Sequence, residues 1–100
     1  MSLRANPVRD EAQVAGVLLR PTYAALVAAE SELGSLFALV ERVAEGRLTL
    51  HEGVTLAWAC RVEPVAFAGR DAFAEAVRAE GLSALSRALA PLVAAIVRGG

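Results

Sequence analysis

The stretch Arg20 to Val43, RPTYAALVAAESELGSLFALVERV, constrains this chain more than any other. It carries apolar residues at helical spacing and is cut once, at Gly34-Ser35. Before the cut, Tyr23, Leu26, Val27 and Leu33 recur with a helical period. After it, Leu36, Leu39, Val40 and Val43 share one face, with Glu41, Arg42 and Glu45 largely off it. Pro21 favours an extended entry, because its ring restricts Arg20. Thr22 can then cap the first helix with its hydroxyl. Gly34 supplies a left-handed stop, Ser35 caps the next helix, and Gly46 ends that one. So short a connection forces the helices to diverge steeply or to fold back as neighbours. Neither apolar face is satisfied alone, so the rest of the chain must cover both.

The remaining sequence continues in the same style. Residues 1–10 are polar with Pro7 and are expected to fray. Residues 11–20 read as an extended arm, or as a short hairpin turning at Ala15-Gly16; a hairpin alone is marginal and would have to lie on the helices. Thr49-Leu50-His51-Glu52 is a capping box, which opens a third helix. Leu50, Val54 and Ala57 line one side of it, while Leu56 and Trp58 widen its apolar surface, so it is the expected centre of the core. Glu63-Pro64 ends it. Phe73, Ala74 and Val77 face inward on a fourth helix closed by Glu80-Gly81. Ser83 is a candidate cap for the last helix, which carries Leu85, Leu89, Leu92, Val93 and Ile96. Pro91 lies inside that pattern and predicts a kink or break near Arg87. The expected fold is mainly all-α, a single domain of four to five short helices at about 22–33, 35–45, 50–62, 70–79 and 83–98, with a short extended or hairpin N-terminal segment.

Composition restricts the function classes. Of the 100 residues, 56% are hydrophobic and only 5% aromatic, so alanine and leucine fill the core. A chain this short buries roughly 65% of its unfolded surface, enough for one shallow core. The formal charge of −1 leaves no electrostatic footprint for nucleic acid. The single cysteine, Cys60, excludes an internal disulfide and suits a reducing, cytoplasmic setting. The longest apolar run, Ala88 to Val97, is interrupted by Pro91 and falls short of the roughly 20 residues a membrane span needs.

Catalytic constellations do not assemble either. His51 and Cys60 fall in one predicted helix about 13 Å apart along its axis, too far for a dyad. One histidine, one cysteine and scattered carboxylates do not make a metal site. Glu30 and Glu32 point to different sides of their helix, and no phosphate-binding loop motif is present. The expectation is a protein that is not an enzyme and takes no cofactor or metal. Trp58 is expected in the core. For Tyr23 and Phe37, on either side of the corner, core packing is the first expectation and an exposed contact patch the second.

With these residues in view, the chain resembles the small tail-assembly proteins of gene transfer agents and related tailed prophages. The resemblance lies in the order Arg20-Pro21-Thr22, an alanine-rich helix, Glu30 to Ser35 with Leu36, Gly46, and Leu48-Thr49 with Glu52. GRDAFAEAVRAEGL also resembles the family's fourth helix. The segment before Arg20 is short for the strand pair seen there. The resemblance implies a tail assembly chaperone that holds the tape-measure protein soluble and recruits tail-tube subunits; the alternative is a structural minor tail component, a tube or connector. It implies no catalytic residues. Such a protein needs uncovered apolar surface for a helical client. The candidate contact residues are Tyr23, Phe37, Leu89, Leu92 and Ile96, and the apolar helices also suit a homo-oligomer.

Overall fold

A two-stranded antiparallel hairpin, β1 (Ala12–Val14) and β2 (Val17–Leu19), is followed by five helices: α1 (Tyr23–Leu33), α2 (Leu36–Ala44), α3 (Leu50–Ala59), α4 (Arg70–Glu80) and α5 (Leu82–Arg98). The computed structural model describes residues 12–99, so the expectation of a frayed start at 1–10 lies outside them. The fold is mainly α, as the residue pattern predicts.

The hairpin alternative is the one that forms. Ala12 pairs with Leu19, Gln13 with Leu18 and Val14 with Val17. Ala15 and Gly16 both take positive φ, 52° and 75°, the geometry a two-residue hairpin turn demands. Val14, Val17 and Leu19 are buried while Leu18 points outward, so the strands have one inner face. That face lies on the helices, with β1 against α5. The Ala15 N–H donates to the Glu80 carboxylate at 2.7 Å, tying the turn to the end of α4.

The outer edge of β2 also explains why α3 stops at Ala59 and not at Val62. Arg20 N–H donates to the Cys60 carbonyl at 2.7 Å, and Val62 N–H to the Leu18 carbonyl at 2.8 Å, flanking a bridge between Leu19 and Arg61. Residues 60–62 thus satisfy their backbone as a third ribbon, an alternative that helical spacing does not reveal.

The helix signals hold at most ends. Thr22 accepts from the Ala25 N–H at 3.1 Å, and Ser35 from the Ala38 N–H at 3.3 Å. Gly34 has φ 80° and ψ −159°, a glycine conformation outside the expected left-handed helical one. The α1–α2 bend is 82°. Glu30 closes the corner twice: its carbonyl accepts from Gly34 N–H at 2.9 Å, and its carboxylate from Leu36 N–H at 3.1 Å. In α3 both bonds of the capping box are made, Glu52 N–H to Thr49 Oγ1 at 3.1 Å and Thr49 N–H to Glu52 Oε1 at 3.0 Å. The other Glu52 oxygen accepts from Arg42, which links α2 to α3.

The core is built on α3, which packs against α1, α4 and α5. Gly53, Val54, Thr55, Leu56 and Ala57 are all buried in it. At Gly53 a Cβ would stand 3.1 Å from Leu89 Cδ1 and 3.2 Å from Leu85 Cδ2, so the missing side chain sets the spacing of α3 and α5. Trp58 packs against the core as expected, but it is only partly buried. One part of its ring meets Phe73, centroids 5.2 Å apart, and the Arg61 guanidinium covers it at 4.1 Å.

The last two helices differ in detail from the sequence pattern. Gly81 alone joins α4 to α5, with φ 109° and ψ 149°, and the two helices bend by 111°. Helix α5 therefore begins at Leu82 without a side-chain cap, and Ser83 is not used as one. Nor does Pro91 break the helix, which runs unbroken from Leu82 to Arg98. Proline removes one bond there, but Ala88, Leu89, Leu92 and Ala95 around it are buried and outweigh that loss. Arg87, whose carbonyl loses its partner, lies on the exposed side.

Two outcomes follow. Gly53→Val should lower unfolding stability by about 1–3 kcal/mol through overpacking against Leu85 and Leu89, read from urea midpoints. The second concerns acid. The Thr49 N–H, and after it Arg42, hold the Glu52 carboxyl below its ordinary 4.5. The unfolded chain therefore binds this proton first, and the contribution of Glu52 is present above pH 4.5 and lost as pH falls through the lowered value. Glu52→Gln should be less stable than the wild type at pH 7, with the gap closing in titrations below pH 4.5.

Candidate protein-binding groove

Helix α2 carries an amphipathic stripe that the fold leaves unfinished. Of Leu36, Leu39, Val40 and Val43, only Leu39 is buried and the others are half-covered. Phe37 is 87% exposed. The cause is positional. Helix α2 hangs from α1 by the Gly34 corner and from α3 by the Arg42–Glu52 pair, and it stands off from α5. Two apolar hollows result, one at each end of the α2–α5 pair.

The first hollow, about 510 Å³, is lined by Leu36, Phe37 and Val40 from α2 and by Ile96 and Val97 from α5, with Glu30 and Glu41 as its charged members. The second, about 340 Å³, is lined by Val43, Leu48, Leu50, Leu82, Leu85 and Leu89, together with Gly46, Thr49, Ser86 and Ala90. The start of α2 thus faces the end of α5, and the end of α2 faces its start. From Leu82 to Val97 this side of α5 extends about 22 Å at the usual rise, some four helical turns. Exposed Leu50, Leu82 and Val97 add apolar surface beside the hollows.

The five candidate contact residues separate in space. Phe37 and Ile96 meet at the larger hollow. Leu92 is fully buried in the core, whereas Leu89 is 5% exposed, packs beside Gly53 of α3 and lines the smaller hollow. Tyr23 is 85% exposed, but it opens α1 and stands about 15 Å along that helix from the Gly34 corner. It does not join Phe37. The expectation of core packing for Tyr23 and Phe37 is therefore overturned; neither side chain finds a neighbour to cover it. Sequence reasoning missed Leu36, Val40, Val97, Glu30 and Glu41 as groove residues. The available signal was the α2 stripe, wider than a nine-residue helix at the edge of a small domain can bury.

Reactive groups lie apart from the groove. Burial pushes the Cys60 thiol up to about 11, which leaves it protonated near neutral pH, and His51 is exposed at the start of α3. Among the described residues, no three histidine, cysteine or acidic side chains cluster as a metal site would require. No single described helix is long and apolar enough to cross a membrane. A third concave region, lined by Arg20, Ala24, Ala28, Arg61 and Glu63 among others, is held by bonds already made: Arg61 donates to Glu63 at 2.8 Å and to the Trp58 carbonyl at 2.8 Å.

No curated protein and no solved structure matches the chain. A family model described as phage tail tube protein, GTA-gp10, matches residues 11–99. That span takes in the hairpin, the Gly34 corner, the capping box and all five helices. The resemblance drawn from Arg20-Pro21-Thr22 through Glu52 is thereby upheld at the level of the tail-related family, and the chain belongs to the phage tail tube protein, GTA-gp10 family.

Proposed function

We propose that the protein is a non-enzymatic interaction module used in building a phage-like tail, and that it acts as an assembly chaperone for a helical tail component. The observation that carries this reading is the pair of apolar hollows at the two ends of the α2–α5 pair, which together follow about four turns of α5. A helix laid in such a groove buries its apolar stripe against residues that the fold leaves uncovered. Burying Phe37 alone, now exposed, contributes about 1.5–3 kcal/mol. The tape-measure protein, the long helical component of a tail, is the client this reading assigns, with the cytoplasm as the place of assembly.

The family description, tail tube protein, favours a second reading: a structural component that remains in the tail. In that case the exposed Tyr23, Phe37 and Val97 are contacts between neighbouring tail subunits.

Co-expression separates the two. The wild-type chain should raise the soluble fraction of the tape-measure protein several-fold, and Phe37→Asp should abolish the effect while circular dichroism stays unchanged. Purified particles should hold few or no copies by quantitative mass spectrometry. Copies in the numbers of tube subunits, with no effect on tape-measure solubility, would establish the structural reading instead.

A further inference from the structure

The larger hollow has a charge pattern as well as a shape. Apart from its apolar wall, its lining contains two charged residues, Glu30 and Glu41, both acidic and both exposed. The arginines of the neighbouring segments hold interactions of their own. Arg42 pairs with Glu52, Arg70 with Glu32, and Arg98 after Val97 holds an interaction of its own. The carboxylate of Glu30 is itself partly used, since it accepts from Leu36 N–H and answers the positive start of α2. Glu41 makes no such bond among the described residues. It stands in the lining beside Phe37 and Val40 and together with Ile96 and Val97 from the last turns of α5.

We propose that this hollow receives a partner helix whose apolar stripe is flanked by arginine or lysine, and that Glu41 is the residue selecting that charge. The inference rests on the groove-binding reading above and adds the chemistry of the occupant. The apolar wall of Phe37, Val40, Ile96 and Val97 takes side chains spaced i, i+3, i+4 and i+7. A basic side chain next to that stripe meets Glu41, with Glu30 behind it. An acidic one meets two carboxylates and is rejected. A second copy of the chain fits less well, because the most exposed apolar residues of α1, Tyr23 and Val27, share that helix with acidic Glu30 and Glu32.

Two synthetic amphipathic peptides of about 18 residues, long enough for the groove, test this on the full chain. Both carry the same leucine stripe; one has arginine beside it and the other glutamate. Fluorescence anisotropy should show the arginine peptide binding at least about tenfold more tightly at about 0.05 M salt, with the difference shrinking at about 0.5 M. Glu41→Lys should reverse the order, and Glu41→Gln should bring the two peptides together. Glu41 is suitable for this because it caps nothing, so its replacement leaves the Gly34 corner intact.

Equal binding of the two peptides, or a preference untouched by Glu41→Lys, would overturn the inference while leaving the groove-binding reading in place. Binding of neither peptide would remove both. A wild-type dimer in light scattering that Phe37→Asp converts to monomers, with no peptide bound by either form, would assign the hollow to self-association and overturn the basic-helix proposal.

Discussion

The close approach of α3 to α5 at Gly53 is the contact from which the other elements take their places. Where a side chain would stand, Leu85 and Leu89 come within reach of the α3 backbone. A small, alanine-rich domain has few bulky groups with which to fill an interhelical gap, so it gains cohesion by bringing helix axes together. With α3 fixed on α5, α1 and α4 close on its remaining sides, and the hairpin covers α5 from beyond. Leu56 and Ala57 on α3 have no solvent exposure, and neither do Phe73 and Val77 of α4 or Leu92 of α5.

Helix α2 is the exception, and the proposed function depends on it. It contributes one buried residue, Leu39, to the core. Its direction is set by the Gly34 corner and its lateral position by Arg42 and Glu52, so Leu39 enters the core while Leu36, Val40 and Val43 of the same stripe stay half-covered. The same stripe in a larger domain would be covered by another layer. Here it stays half-covered, with Glu30 and Glu41 beside it, and that is the surface the proposed partner helix would close.

Much of this was legible in the residues, and the places where it was not have physical causes. Caps depend on adjacent residues, so Thr22, Ser35 and the Thr49–Glu52 box could be read directly. The end of α3 depends on a strand more than forty positions earlier, because the edge of β2 captures Cys60 and Val62; periodicity within α3 cannot show that. Pro91 carries a local penalty that only the burial of Ala88, Leu89, Leu92 and Ala95 overrides. Leu89 and Leu92 looked available as contact residues because a stripe on a helix does not say which neighbour covers it. Phe37 and Ile96 looked much the same in sequence, and only the stand-off of α2 distinguishes them from core residues. The family, by contrast, was carried by the order of these signals along the chain.

The Arg42–Glu52 pair has a mechanical consequence. It ties α2 to α3, as the Glu30 carboxylate ties the start of α2 to α1, and Leu39 is the one residue of α2 that is buried. Moving α2 outward would therefore strain that ion pair, the Glu30 bond and the packing of Leu36 and Leu39. Should a partner helix enter there as proposed, these few ties are what set the width of the opening beside α5, while the contact at Gly53 lies apart from it.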